Sequence, residues 1–210
     1  MPATERSFLW KYPQIPARVL TTNLFDLKVH GIENVPRTGG VLLAANHQSY
    51  LDPVLVAVRL RRPVSFMAKS ELFENPALRW LIESLHAYPV RQGEGDIGAI
   101  RQAIARLNAG YALNVYPEGT RTEDGSIAPL EKGIALILRK VDVPVVPVAI
   151  HGSFAAWPKS NKVFHPHPIR VGYGKPLYLK DLPAKEILEK LRSGIVSQFE
   201  ELKKMDALDG

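Results

Sequence analysis

Apolar residues along the chain fall in short blocks between turn-forming clusters, and the spacing inside each block predicts its element. Val41–Ala45 is an unbroken apolar run after Arg37-Thr38-Gly39-Gly40 and reads as a buried strand. Pro53–Leu60 reads as a helix, with Asp52 as its N-cap and Pro53 in the first turn. Further strands are expected at Pro63–Ala68, Ala87–Val90, Ala112–Tyr116, Val143–Ile150 and Ile169–Gly174. Helices are expected at Pro76–Leu85, Ile97–Leu107, Lys132–Val141 and Ala184–Lys204. Within the second of these, Ile97, Ile100, Ile104 and Leu107 recur at helical spacing. Strands alternating with helices predict an α/β fold, with a largely parallel or mixed central sheet flanked by helices. No internal repeat interrupts the pattern, and the one biased stretch is a Pro/His-rich loop at Trp157–Pro168.

Residues 1–25 have a different texture. Phe8, Leu9, Trp10, Tyr12, Ile15, Val19, Leu20, Leu24 and Phe25 are mixed with Arg6, Lys11 and Arg18, and Pro13 and Pro16 place the start of any helix near Ala17. Aromatic and aliphatic residues with a few cations suit a membrane–water interface, and equally suit an arm packed on its own domain. The expected organisation is an amphipathic, membrane-contacting arm at 1–25 and a single α/β domain at 26–210.

Composition narrows the chemistry. The 210 residues suffice for a buried core, and 27 Lys and Arg against 21 Asp and Glu leave a net charge of +6, which favours anionic partners. With no cysteine, thiolate nucleophiles, disulfides and Cys-ligated metals are excluded. No apolar stretch is long enough to span a bilayer; Gly39–Val58 is interrupted by Asn46, His47, Gln48, Ser49 and Asp52. No secretory signal is visible. Any membrane contact is therefore expected to be peripheral.

Two polar clusters follow predicted strands, where α/β sheets gather their ligands. The first is Asn46-His47-Gln48-Ser49-Tyr50-Leu51-Asp52. On a straight helix His47 and Asp52 would point apart, but a strand-to-helix turn can bring them together. A carboxylate on one ring nitrogen then fixes the tautomer and leaves the other nitrogen basic. Spacing alone also allows a plainer arrangement, with Asp52 a cap and His47 a turn residue. The second cluster is Tyr116-Pro117-Glu118-Gly119-Thr120-Arg121, where glycine admits close backbone approach and Arg121 offers a fork for phosphate oxygens. Arg91 follows the Ala87–Val90 strand in a comparable position.

Taken together, Asn46-His47-x-Ser49-x-x-Asp52, Tyr88-Pro89-Val90-Arg91, Pro117-Glu118-Gly119-Thr120-Arg121 and Val143-Pro144-Val145-Val146-Pro147-Val148 resemble the four ordered blocks of the lysophosphatidate and glycerol-phosphate acyltransferases. The resemblance covers about residues 30–175. It implies transfer of a fatty acyl group from acyl-CoA or acyl carrier protein to a hydroxyl of lysophosphatidate, giving phosphatidate, at the cytoplasmic face of a membrane. By the same resemblance His47 is the general base and Asp52 its orienting partner. Arg91, Glu118, Gly119, Thr120 and Arg121 bind the acceptor, and Asn46, Ser49, Pro144 and Pro147 support the site. His86 departs from the pattern, standing where a small residue is more usual, which bears on the acyl tunnel. A thioester is already activated, so no metal and no cofactor is expected. The expected partners are the acyl donor, a lysophospholipid and an anionic membrane surface.

Other classes fit less well. Gly93-Glu94-Gly95-Asp96-Ile97-Gly98 matches a dinucleotide fingerprint, but Glu94 and Asp96 would put two carboxylates where a pyrophosphate sits. No Gly-x-Ser-x-Gly elbow supports a serine hydrolase, and His165-Pro166-His167 has no acidic partner set for a metal. No basic stripe interleaved with aromatics points to nucleic acid. The remaining alternatives are another acceptor, such as glycerol phosphate or a different lysolipid, and a non-catalytic phospholipid-binding module.

Overall fold

The structure is a computed structural model that describes residues 8–84, 86–90, 97–161 and 163–209. In chain order its elements are α1 (Phe8–Phe25), β1 (Lys28–His30), β2 (Val41–Ala45), α2 (Asp52–Ala57), β3 (Val64–Lys69), α3 (Pro76–Ser84) and β4 (Ala87–Val90). There follow α4 (Ile97–Asn108), β5 (Ala112–Val115), α5 (Lys132–Leu138), β6 (Val145–His151), α6 (Ser153–Ala156), β7 (Arg170–Tyr173) and α7 (Ala184–Asp209). The seven strands form one sheet in the order β1-β7-β6-β2-β5-β3-β4. β2 pairs in parallel with both β5 and β6, and β3 with β5 and β4. β7 runs antiparallel to β6, and β1 follows β7 in parallel, so these two strands are reversed against the rest. The sheet is mixed, as the strand–helix alternation predicts.

Alternation along each strand divides the core in two. Val41, Leu43, Ala45, Val146, Val148 and Ile150 face a layer that includes Phe25, Leu55, Val56 and Leu60. Leu42, Ala44, Leu113 and Val145 face Ala103, Leu107, Ile134, Ile137, Ile187, Leu191 and Ile195 from α4, α5 and α7. Both faces of the central strands are thus covered, which is why β2 reads as continuous apolar sequence. α7 comes close enough to the sheet that a Cβ at Gly194 would lie 2.8 Å from Pro147 Cγ.

Two local expectations are corrected. α1 begins at Phe8 and runs through Pro13 and Pro16 rather than starting near Ala17. Proline's fixed φ is itself helical, and each ring removes a single i→i−4 bond. Docking compensates for that loss: Gln14 Nε2 donates to the carbonyls of Ala57 and Leu60, and Arg18 Nε to that of Val58, at 2.7–3.3 Å. α1 so satisfies carbonyls that the end of α2 leaves open. Secondly, Asp52 is not the N-cap of α2. Leu51 occupies that position, and the Asp52 carboxylate turns back toward the strand instead. The short strand β1, too brief to show an alternation, was not expected. Among the described residues no helix is long and apolar enough to cross a membrane.

Candidate active site

β2 is flanked by β5 and β6, so whatever follows it is built between the ends of its two neighbours. Asn46 prolongs the strand by its side chain: Nδ2 donates to the Ile150 carbonyl at 3.0 Å and Oδ1 accepts from the Ile150 amide at 2.7 Å. The chain then turns, and His47 Nδ1 lies 2.8 Å from Asp52 Oδ2. The same oxygen accepts the amides of Gln48 at 2.6 Å and Ser49 at 2.8 Å. Oδ1 accepts the Ser153 hydroxyl at 2.8 Å. Four donors therefore converge on a carboxylate with no exposed side-chain surface, whereas the His47 side chain keeps 19% of its surface open. A carboxylate so placed requires Nδ1–H, which leaves Nε2 as the basic nitrogen.

The turn after β5 clamps the same histidine. Glu118 Oε1 accepts the His47 amide at 2.8 Å and Oε2 the Ala128 amide at 2.7 Å, while the Thr122 amide donates to the His47 carbonyl at 2.8 Å. Burial pushes the Glu118 carboxyl above its usual range, against the opposing pull of its two backbone donors and of His47. Gly119 takes the left-handed region at φ 74°, which lets the chain reverse so that Glu118 points inward and Thr120 is exposed. Arg121 lies flat on the Tyr50 ring, 3.5 Å from its centroid, with Nη1 buried and without a hydrogen-bond partner among the described residues. The Tyr116 ring stacks on the His47 imidazole, with centroids 3.8 Å apart and planes 14° from parallel.

Of the residues predicted from sequence, His47, Asp52, Asn46, Ser49, Glu118, Gly119, Thr120 and Arg121 therefore gather at the ends of β2 and β5. Ser49 donates its hydroxyl to the Trp157 carbonyl at 2.8 Å, which ties it into the turn. Arg91 lies outside the described residues, as does most of the Gly93–Gly98 stretch. Pro144 accepts the Leu42 amide where β6 begins, and Pro147 packs on Gly194 of α7; neither meets the His47–Asp52 pair. Sequence reasoning missed Ser153. It follows β6 directly after Gly152, which adopts φ 87° and whose absent Cβ leaves room for the Pro168 carbonyl. Its only signal was its place after a predicted strand, next to the other two clusters.

An imidazole held by a buried carboxylate at the carboxyl ends of central strands, in a cluster with an arginine whose buried Nη1 has no hydrogen-bond partner among the described residues, can remove a proton from a nucleophile bound near an anion. The chain belongs to the acyltransferase family: the family model described as Acyltransferase matches residues 26–151. A 1-acyl-sn-glycerol-3-phosphate acyltransferase of Bacillus subtilis is 29% identical over 206 residues, covering 95% of this chain and all of that protein. A lyso-ornithine lipid O-acyltransferase of Pseudomonas aeruginosa is 34% identical over 136 residues, 64% of this chain and half of that one. The crystal structure of PlsC, the 1-acyl-sn-glycerophosphate (LPA) acyltransferase of Thermotoga maritima, superposes with a TM-score of 0.82 at 31% identity, over 92% of this chain and 79% of that one. The chain also spans 46% of a chloroplastic 1-acyl-sn-glycerol-3-phosphate acyltransferase of Brassica napus. The fold is that of PlsC, and the protein is an acyltransferase.

Proposed function

We propose that this enzyme transfers a fatty acyl group from a thioester, acyl-CoA or acyl-carrier protein, to the free hydroxyl of lysophosphatidate, with His47 as general base. The observation that carries this reading is the 2.8 Å contact of His47 Nδ1 with a carboxylate already met by three other donors. Nε2 takes the acceptor's hydroxyl proton as its oxygen attacks the thioester carbonyl carbon. The C–S bond breaks, the imidazolium returns the proton to the departing thiolate, and an ester and a free thiol leave. General-base assistance of this kind contributes roughly 10²–10⁴-fold. Arg121, its Nη1 without a partner among the described residues, receives the acceptor's phosphate with Gly119, Thr120 and Arg91, while Glu118 holds His47 and the 118–128 turn in register.

The acceptor is the open choice among the relatives, because one is named for a lysophosphatidate-type acceptor and another for lyso-ornithine lipid. The Arg121 guanidinium, whose Nη1 has no hydrogen-bond partner among the described residues, favours the phosphate-bearing one. The reading also places the enzyme on an anionic, cytoplasmic membrane surface through α1, whose Ile15, Val19 and Leu20 are exposed although the helix is docked.

Thiol release measured with both donor types against lysophosphatidate, glycerol phosphate and lyso-ornithine lipid decides the acceptor. On the productive pair, His47→Ala should be inactive, and Asp52→Asn should lose at least about a hundredfold in turnover. Asparagine keeps an oxygen for the amide donors and turns its N–H to the Ser153 hydroxyl, which must then accept. The buried charge-assisted bonds become neutral ones, so the variant should lose roughly 1–3 kcal/mol of stability. Activity in His47→Ala, or near-normal turnover in Asp52→Asn, removes the pair from the mechanism. A productive pair lacking phosphate removes Arg121 from its assigned role.

A further inference from the structure

Nothing in the reaction as written above uses Tyr116, yet its ring is stacked directly on that of His47. Its face lies 3.8 Å from the imidazole at 14°. Its hydroxyl is buried and completes no well-formed hydrogen bond, although the equally buried Asn114 carboxamide lies nearby. Burial, with the Asp52 charge second, pushes the phenol well above its usual range, so the hydroxyl stays neutral and takes no part in proton transfer. What Tyr116 offers His47 is therefore the π-face.

We propose that Tyr116 is a positioning and charge-stabilising residue for the general base, and that its ring holds the imidazole plane and stabilises the imidazolium formed when the acceptor hydroxyl is deprotonated. The inference rests on the reading of His47 as that base. Two constraints are needed to fix the ring. The Nδ1 contact with Asp52 sets one axis and leaves the plane free to swing about it. The stack removes that freedom and keeps Nε2 aimed at one place. The second consequence is electrostatic, since an aromatic face attracts a cation more strongly than it attracts the neutral imidazole. Among the described residues, the other charged or titratable groups bonded to His47 are Asp52, from α2, and Glu118, after β5. α6 contributes only the uncharged Ser153. The two carboxylates meet the residue at its ring edge and at its backbone amide, and Tyr116 covers its face.

The hydroxyl and the face can be separated by substitution. Tyr116→Phe keeps the face and removes a buried hydroxyl that lacks a good partner. It should retain turnover within about threefold and melt at or above the wild-type temperature. Tyr116→Leu fills much of the space without a face. Its turnover should fall roughly three- to thirtyfold, about 0.7–2 kcal/mol at 1.4 kcal/mol per tenfold, with the acceptor's KM little changed. The acid limb of its pH–rate profile should move to lower pH by roughly half a unit to one and a half units, because the protonated form has lost its support. NMR titration of the His47 ring in the same variants gives this shift without an assay. A leucine variant that titrates like wild type overturns the proposal, as does a phenylalanine variant as impaired as the leucine one. Failure of the base reading is a different result, namely activity surviving in His47→Ala whatever Tyr116 does.

Discussion

Glu118 shows how one buried side chain can hold a site together at a cost to stability. Its oxygens accept the amides of His47 and Ala128, yet desolvation outweighs those donors and its folded-state pKa lies above the ordinary 4.5. Between those two values the folded chain keeps a proton that the unfolded chain has released, so stability falls as pH rises through that window. Above it, the ionised carboxylate carries the full burial penalty. Glu118→Gln stays neutral throughout, so urea melts from about pH 4 to pH 7 should show the variant gaining on wild type as pH rises. The opposite trend would mean that the backbone donors outweigh burial. From the sequence the residue types of the site were legible through the family resemblance, whose blocks include His47, Asp52 and the 117–121 turn, whereas spacing alone also allowed Asp52 to be a cap and His47 a turn residue. The carboxylate's second oxygen was not legible. Ser153 lies far along the chain from Asp52 and meets it only because β6 and β2 are neighbours, and the Tyr116 stack depends on a side-chain orientation that spacing cannot express.

At the scale of elements, α1 has two unlike faces. Phe25, Leu24 and Ala17 join the core beneath it, and Gln14 and Arg18 close the end of α2. Ile15, Val19 and Leu20 remain outside. Its mixture of aromatic, aliphatic and basic residues was visible in the sequence, whereas its start was misplaced, because a proline rule describes an isolated helix and not one fastened by Gln14 and Arg18. Strands of four residues or more were found within a residue or two of their bounds, since each is an apolar run between turn signals. The three-residue β1 carries too few positions for any period to show. If α1 rests on lipid, Val19→Asp with Leu20→Asp should leave the urea midpoint unchanged within error, because both positions are exposed. The same pair should reduce sedimentation with anionic vesicles by at least about tenfold. Undiminished sedimentation would return α1 to a purely packing role.

On the scale of the whole molecule, strand–helix alternation foretold the central sheet, but not that β1 and β7 run against it. Direction at a sheet edge depends on how the connection returns, and a parallel crossover and an antiparallel return leave similar local sequence. At that reversed edge Arg170, only 2% exposed, reaches two distant parts of the chain. It donates to the carbonyl and carboxylate of Asp26 at 2.7 and 3.1 Å, and lies 3.2 Å from Asp206 Oδ1 near the end of α7. Asp26 takes φ 38°, a left-handed backbone that a non-glycine residue holds only when its surroundings insist. One guanidinium thus staples the exit of the first helix to the tail of the last. Removing residues 206–210 should therefore speed amide hydrogen exchange at Lys28–His30, nearly the whole sequence away, while leaving β2 and β5 protected. Exchange confined to α7 would show the staple to be slack. With it taut, the first and last segments fray as one unit, and a protease nick near either would loosen both.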